Sequence, residues 1–117
     1  MNRKIFNYFE IAASMARSKE DGRSFLLGAI GIRSDGVMVK ALNSISEVPN
    51  RRCHAEYRLA SRLDYGATIY VARVKLIDQT FGMSKPCKNC QKMLASRKVK
   101  KVYYTISQNE YGIWYPE

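Results

Sequence analysis

The stretch Ala67-Thr68-Ile69-Tyr70-Val71-Ala72-Arg73-Val74-Lys75-Leu76 is dense in β-branched and aromatic residues and reads as a strand. An amphipathic pattern over 54–63 precedes it. There Ala55, Leu59, Ala60 and Leu63 form an apolar stripe, Arg58 and Arg62 face away, and Tyr65-Gly66 supplies the stop. A second helical pattern follows over 87–97, with Cys90, Met93 and Leu94 inward, and then another strand over 99–106. Strand-helix-strand connections cross over with a right hand, so the strand over 67–76 is expected to run parallel to an earlier one.

Working outward, Ile5, Phe9, Ala12, Ala13 and Ala16 recur at spacings of three and four and predict a helix over 5–17, stopped by Lys19-Glu20-Asp21-Gly22. Residues 24–33 form a nearly unbroken apolar run, the pattern of a strand covered on both faces. Asp35-Gly36 predicts a tight turn and 37–42 the returning antiparallel strand. Residues 45–52 and 77–85 read as loops. Residues 107–109 read as a turn before a short last strand over 111–115, and so few connecting residues leave a hairpin as the economical link. The sum is an α/β fold: a three-layer α/β/α sandwich with a mixed five-stranded sheet. A length of 117 residues makes 1–117 one domain with one core.

Lys and Arg exceed Asp and Glu by 20 to 10, giving a net charge of +10. This favours an anionic partner, nucleotide or nucleic acid. A merely solvated basic surface is an equal account, since the charge clusters only at Arg51-Arg52 and from Arg97 to Lys101. No apolar run approaches ~20 residues, so no membrane span is expected. The basic N-terminus is not followed by an apolar stretch and does not read as a signal peptide. Three cysteines suit a reducing cytoplasm.

Two of those cysteines stand in Pro86-Cys87-Lys88-Asn89-Cys90, and the chain's one histidine in Cys53-His54-Ala55-Glu56. A catalytic zinc site takes three protein ligands and keeps a fourth position for water. His54, Cys87 and Cys90 are ligands of the right kinds. Pro86 at a helix start would set both thiols on the first turn, where the helix dipole favours thiolate. Glu56, two residues after the histidine, is a carboxylate placed to move protons rather than to bind the metal. A Cys-x-x-Cys pair alone also occurs in redox motifs and structural zinc knuckles. A structural site, however, usually has a fourth protein ligand. Cys53, turned about 100° from its neighbour His54 on a helix, is badly placed to be one and reads as a small buried residue.

His54-x-Glu56, with Pro86-Cys87-x-x-Cys90 beginning thirty positions after Glu56, resembles the cytidine deaminase-like superfamily. The resemblance runs from the first helix to Ile106 and includes Gly28-Ala29 and Asn43. It implies Zn²⁺ on His54, Cys87 and Cys90, and Glu56 as proton shuttle. It also implies that the Ala55 backbone N–H meets the base carbonyl and that Asn43 hydrogen-bonds base or sugar. Without it, Asn43 is a turn residue. Histidine as first ligand is similar to deoxycytidylate and tRNA adenosine deaminases, whereas free-cytidine deaminases generally have cysteine there. Those two histidine groups usually place a helix between the last two strands, and this chain has no room for one.

The leading expectation is therefore hydrolytic deamination of a cytosine nucleoside or nucleotide in the cytoplasm by a homo-oligomer, with Arg51 and Arg52 near a substrate phosphate. The alternatives are a polynucleotide deaminase, acting on single-stranded cytosine or tRNA adenosine with Phe81 and Trp114 as stacking candidates, and a non-catalytic zinc-bearing binding module.

Overall fold

The computed structural model describes residues 3–17, 25–42, 66–75, 80–85, 88–96 and 98–116. The elements are α1 (Arg3–Arg17), β1 (Phe25–Ile32), β2 (Met38–Leu42), β3 (Thr68–Lys75), β4 (Phe81–Gly82), α2 (Lys88–Ser96), β5 (Lys101–Ser107) and β6 (Glu110–Trp114). The helix expected over 54–63 lies outside the described residues.

The sheet is mixed and six-stranded, in the order β2-β1-β3-β5-β6, with β4 beside β3. The expected five strands are all present. The sixth, β4, falls in the stretch read as a loop, because a two-residue strand has no periodicity to show. β1 pairs antiparallel with both β2 and β3, so β3 runs in the direction of β2 with β1 between them. β3 and β5 are adjacent and parallel, and β5 and β6 form the expected hairpin. The β1-β2 turn closes through Arg33 N–H to the Val37 carbonyl, with Gly36 at φ 89° and Val37 N–H bonded to Asp35 Oδ1.

Both sheet faces are covered, as the apolar run of β1 requires. On one face Ile5, Phe9, Ala12 and Ala13 of α1 pack on Ile30, Tyr70, Ala72, Val74, Phe81 and Tyr103. On the other, Leu94 of α2 packs with Ala29, Ala67, Ile69, Val71, Val99 and Val102. Adjacent residues of β3 alternate between the two clusters, which makes it the central strand.

The α1 face is aromatic. Tyr70 stacks on Tyr103 across the β3-β5 pair (centroids 4.8 Å, planes 6° apart), and Tyr8 of α1 lies on Tyr70 at 4.6 Å. Phe9 meets Tyr70 and Phe81 edge-on, and Tyr111 joins Phe6 and Phe9. Each such pair adds about 0.5–1.5 kcal/mol beyond its buried area.

The start of β5 is set by the end of α2. Val99 N–H bonds the Leu94 carbonyl (3.3 Å) and Lys98 N–H the Ala95 carbonyl (3.0 Å), a Schellman cap with the Val99-Leu94 apolar contact that accompanies it. Lys98 takes the left-handed position (φ 52°) that glycine usually holds, at a cost of about 1 kcal/mol. The Lys98 carbonyl accepts from Gly66 N–H, and Lys100 N–H donates to the Ala67 carbonyl, which ties the starts of β3 and β5 together.

The tyrosine stack makes stability depend on alkaline pH. Burial first, then Tyr103 and Tyr8, push the Tyr70 hydroxyl up to about 12. The unfolded chain releases this proton from about pH 10, so the stabilisation is complete below pH 10 and is lost as pH rises toward 12. In denaturant titrations across that window, Tyr70→Phe is expected to decline less steeply than the parent chain.

Candidate active site

β3 and β5 are parallel neighbours joined through α2, so α2 runs back against them. Its N-terminal turn therefore stands at their C-terminal ends, where ligands bind in open α/β sheets. Cys90 is the third residue of α2, and Cys87 is the residue just before the helix in the chain. Asn43, His54, Ala55, Glu56 and Cys87 lie outside the described residues, as do Arg51, Arg52 and Cys53. Among the described residues no cluster of three or more His, Cys, Asp or Glu could hold a metal.

The donor set suits zinc: one imidazole and two thiols, a neutral shell once both thiols ionise. The first turn of α2 carries Lys88 and no acidic residue, so both dipole and local charge favour thiolate there. His54, Cys87 and Cys90 would hold the ion.

Just before this turn the sheet forks. β3 pairs with β5 from Thr68 to Val71, then with β4 at Arg73 and Val74. Ser84 and Thr105 fill the fork; they are the buried polar side chains among the described residues. Ser84 N–H donates to the Thr105 carbonyl (2.9 Å), the Ser84 hydroxyl donates to the Val71 carbonyl (2.9 Å), and Thr105 N–H donates back to Ser84 Oγ (2.7 Å). The Thr105 hydroxyl donates to the Gly82 carbonyl (2.7 Å) and accepts from Arg73 N–H (3.2 Å). The two hydroxyl oxygens are 2.9 Å apart. A bulge follows, since the β5-β6 register shifts between Thr105 and Ser107. Gln108 in the turn beyond accepts from Phe81 N–H through Oε1 (3.0 Å). Sequence reading missed this cluster. Its only trace is a serine in an assumed loop and one threonine in a strand.

The two stacking candidates separate. Phe81 is 3% exposed under α1 and belongs to the core, so it is no platform. Trp114 packs partly on the α2-face core and also lines an open groove of ≈ 640 Å³ between α2 and the edge strand β6, with Lys88, Lys92 and Tyr115. On the same face the Tyr104 ring lies across Gly112, where a Cβ would overlap it. On the α1 face the Lys101 ammonium lies 5.1 Å from the centroid of the Tyr103 ring, and the neighbouring Tyr103 hydroxyl raises the Lys101 pKa. No helix among the described residues is long and apolar enough to cross a membrane.

Residues 3–106 match the sequence profile of the cytidine and deoxycytidylate deaminase zinc-binding region. Among solved structures, a cytidine deaminase from Burkholderia pseudomallei is similar at a TM-score of 0.67 and 21% identity, over 99% of this chain and 94% of that one. A cytidine deaminase from Mycobacterium leprae is similar at 0.61 and 16%, over 96% and 94%. At these identities the likeness is one of fold. No curated protein matches.

Thr105→Val keeps the volume of the fork and removes the hydroxyl from the Gly82 carbonyl and Arg73 N–H. With about 1–3 kcal/mol for a buried hydrogen bond broken on one side, a loss of about 1–3 kcal/mol is expected in denaturant unfolding.

Proposed function

The chain belongs to the cytidine and deoxycytidylate deaminase zinc-binding family, and on that premise we propose that it hydrolyses the exocyclic amine of a cytosine nucleoside or nucleotide, releasing ammonia. The observation that carries this is the complete set of His54, Glu56, Cys87 and Cys90 within a matched span of 3–106. The crossover that puts the first turn of α2 at the C-terminal ends of β3 and β5 supports it. So does the similarity in fold to two proteins named cytidine deaminases.

Zinc held by His54, Cys87 and Cys90 would supply a water acidic enough to ionise near neutral pH. Glu56 takes the proton from the attacking water. It delivers that proton to the ring nitrogen as the water oxygen bonds to C4, then takes the proton left on that oxygen and passes it to the departing amine as the C–N bond breaks. The ring keeps the oxygen as a carbonyl and ammonia leaves. The Ala55 N–H holds the base carbonyl and the Asn43 amide holds base or sugar. Arg51 and Arg52 meet a phosphate when the substrate carries one.

One observation favours a second reading, in which the cytosine lies in a single-stranded polynucleotide. The groove along α2 sets Lys88 and Lys92 opposite Trp114 and Tyr115, cations for phosphates beside aromatic rings for bases. Lys88 is the first residue of α2, so the groove leads away from the turn that carries Cys90.

Glu56→Ala is expected to retain zinc, measured by metal analysis, and to lose at least about 100-fold in turnover of cytidine, deoxycytidine or their monophosphates. Unchanged turnover with zinc bound would remove Glu56 from its role. A zinc-bound parent chain inert toward all of them would favour the binding module. For the second reading, binding of a single-stranded oligonucleotide should weaken steeply with salt, and Lys92→Glu should lower that log–log slope by about one.

A further inference from the structure

We propose that Ser84 and Thr105 form a positioning clamp for the metal-binding turn, fixing where the chain enters α2 and hence where its two thiols stand. This rests on the zinc reading above and goes beyond it, since neither residue is a metal ligand or meets substrate.

At the fork a backbone group of the central strand takes a side chain as its partner. Where β5 stops pairing with β3, the Val71 carbonyl accepts from the Ser84 hydroxyl, and the Thr105 hydroxyl sits against Arg73 N–H where Arg73 pairs with Gly82 of β4. The same two hydroxyls reach the Gly82 carbonyl of β4 and Thr105 N–H of β5. Three strands are thus held at one point by two side chains that solvent does not reach. Ser84 is 5% and Thr105 0% exposed, so each bond lost there has no water to replace it.

Ser84 is also anchored close ahead of the metal-binding turn. Cys87 follows by three residues, which an extended chain spans in about 11 Å at most. The far end of α2 is fixed by the Schellman cap at Lys98 and Val99. The helix is therefore held at both ends, by a backbone cap at its C-terminus and by the hydroxyl pair ahead of its N-terminus. Releasing Ser84 frees the N-terminal end alone, the end that carries Cys90. Partners that orient a ligand without touching the ion commonly change metal affinity by roughly 10- to 100-fold.

The experiment uses the full chain loaded with Zn²⁺ and titrated with a chromophoric chelator well below the thermal transition. The visible spectrum of the Co²⁺-substituted protein is the second readout. Ser84→Ala is expected to lose roughly 10- to 100-fold in zinc affinity and to change the intensity of the Co²⁺ bands. Thr105→Ser, which keeps the hydroxyl, should stay within a few-fold of the parent. Ile30→Ala is the comparison, a core variant under α1 on β1 that is destabilised without touching the fork. If Ser84→Ala does not fold, Thr105→Val tests the same clamp from the other side. Affinity and spectrum unchanged in Ser84→Ala, or reduced no further than in Ile30→Ala, overturn the clamp and leave the zinc reading intact. A parent chain that takes up neither ion with thiolate ligation overturns the zinc reading itself, and the clamp with it.

Discussion

The arrangement depends on a shortage of partners for β3. This strand is central and buried on both faces, so each of its backbone groups needs a hydrogen bond. β1 serves one edge along its whole length. On the other edge β5 serves only as far as Val71, because there the chain must open to let the connection into α2 leave the sheet. An apolar pair in that gap would pack well and strand the Val71 carbonyl, at about 1–3 kcal/mol. Ser84 and Thr105 are short enough to fit and polar enough to bond, and β4 then takes over the edge at Arg73 and Val74.

The parallel β3-β5 pair settles the rest of the geometry. A parallel neighbour requires a return crossing, and α2 is that return. The helix N-terminus must therefore arrive at the C-terminal ends of the strands, beside the fork. That end of α2 has no acidic residue in its first turn, and Ser84, bonded at the fork, stands three residues before Cys87 in the chain.

Much of this was legible in the residues. The α1 stripe, the two-sided burial of β1, the turn at Gly36, the parallel crossover and the final hairpin all came from periodicity and turn chemistry, which are local. The candidate zinc ligands His54, Cys87 and Cys90, and Glu56 beside them, stand out in the sequence because metal chemistry restricts both residue type and spacing; their side chains lie outside the described residues. What was not legible is non-local. β4 is two residues long, and its partner Arg73 is settled only by where β5 ends. Phe81 looked like a candidate platform because sequence reports an aromatic ring without reporting the helix above it; Phe9 of α1 covers it. Ser84 and Thr105 are 21 residues apart, and nothing in either neighbourhood announces the other.

The two faces of the sheet carry different loads. Under α1, Phe9, Tyr8, Tyr70, Phe81, Tyr103 and Tyr111 interlock, and little there can move without breaking several ring contacts. Under α2 the described core is built of Ala29, Ala67, Val71, Val99, Val102, Ile69 and Leu94, with no ring fully inside it. Small side chains bring α2 close to the sheet, and they leave Trp114 at the flank, half in the core and half on the groove. The aromatic face supplies the rigidity that a hydroxyl clamp needs behind it. Tyr103 and Thr105 sit on the same strand two residues apart, so the stack that fixes β5 against β3 also holds Thr105 at the distance Ser84 requires. Stability on one face and positional accuracy on the other are joined through that strand.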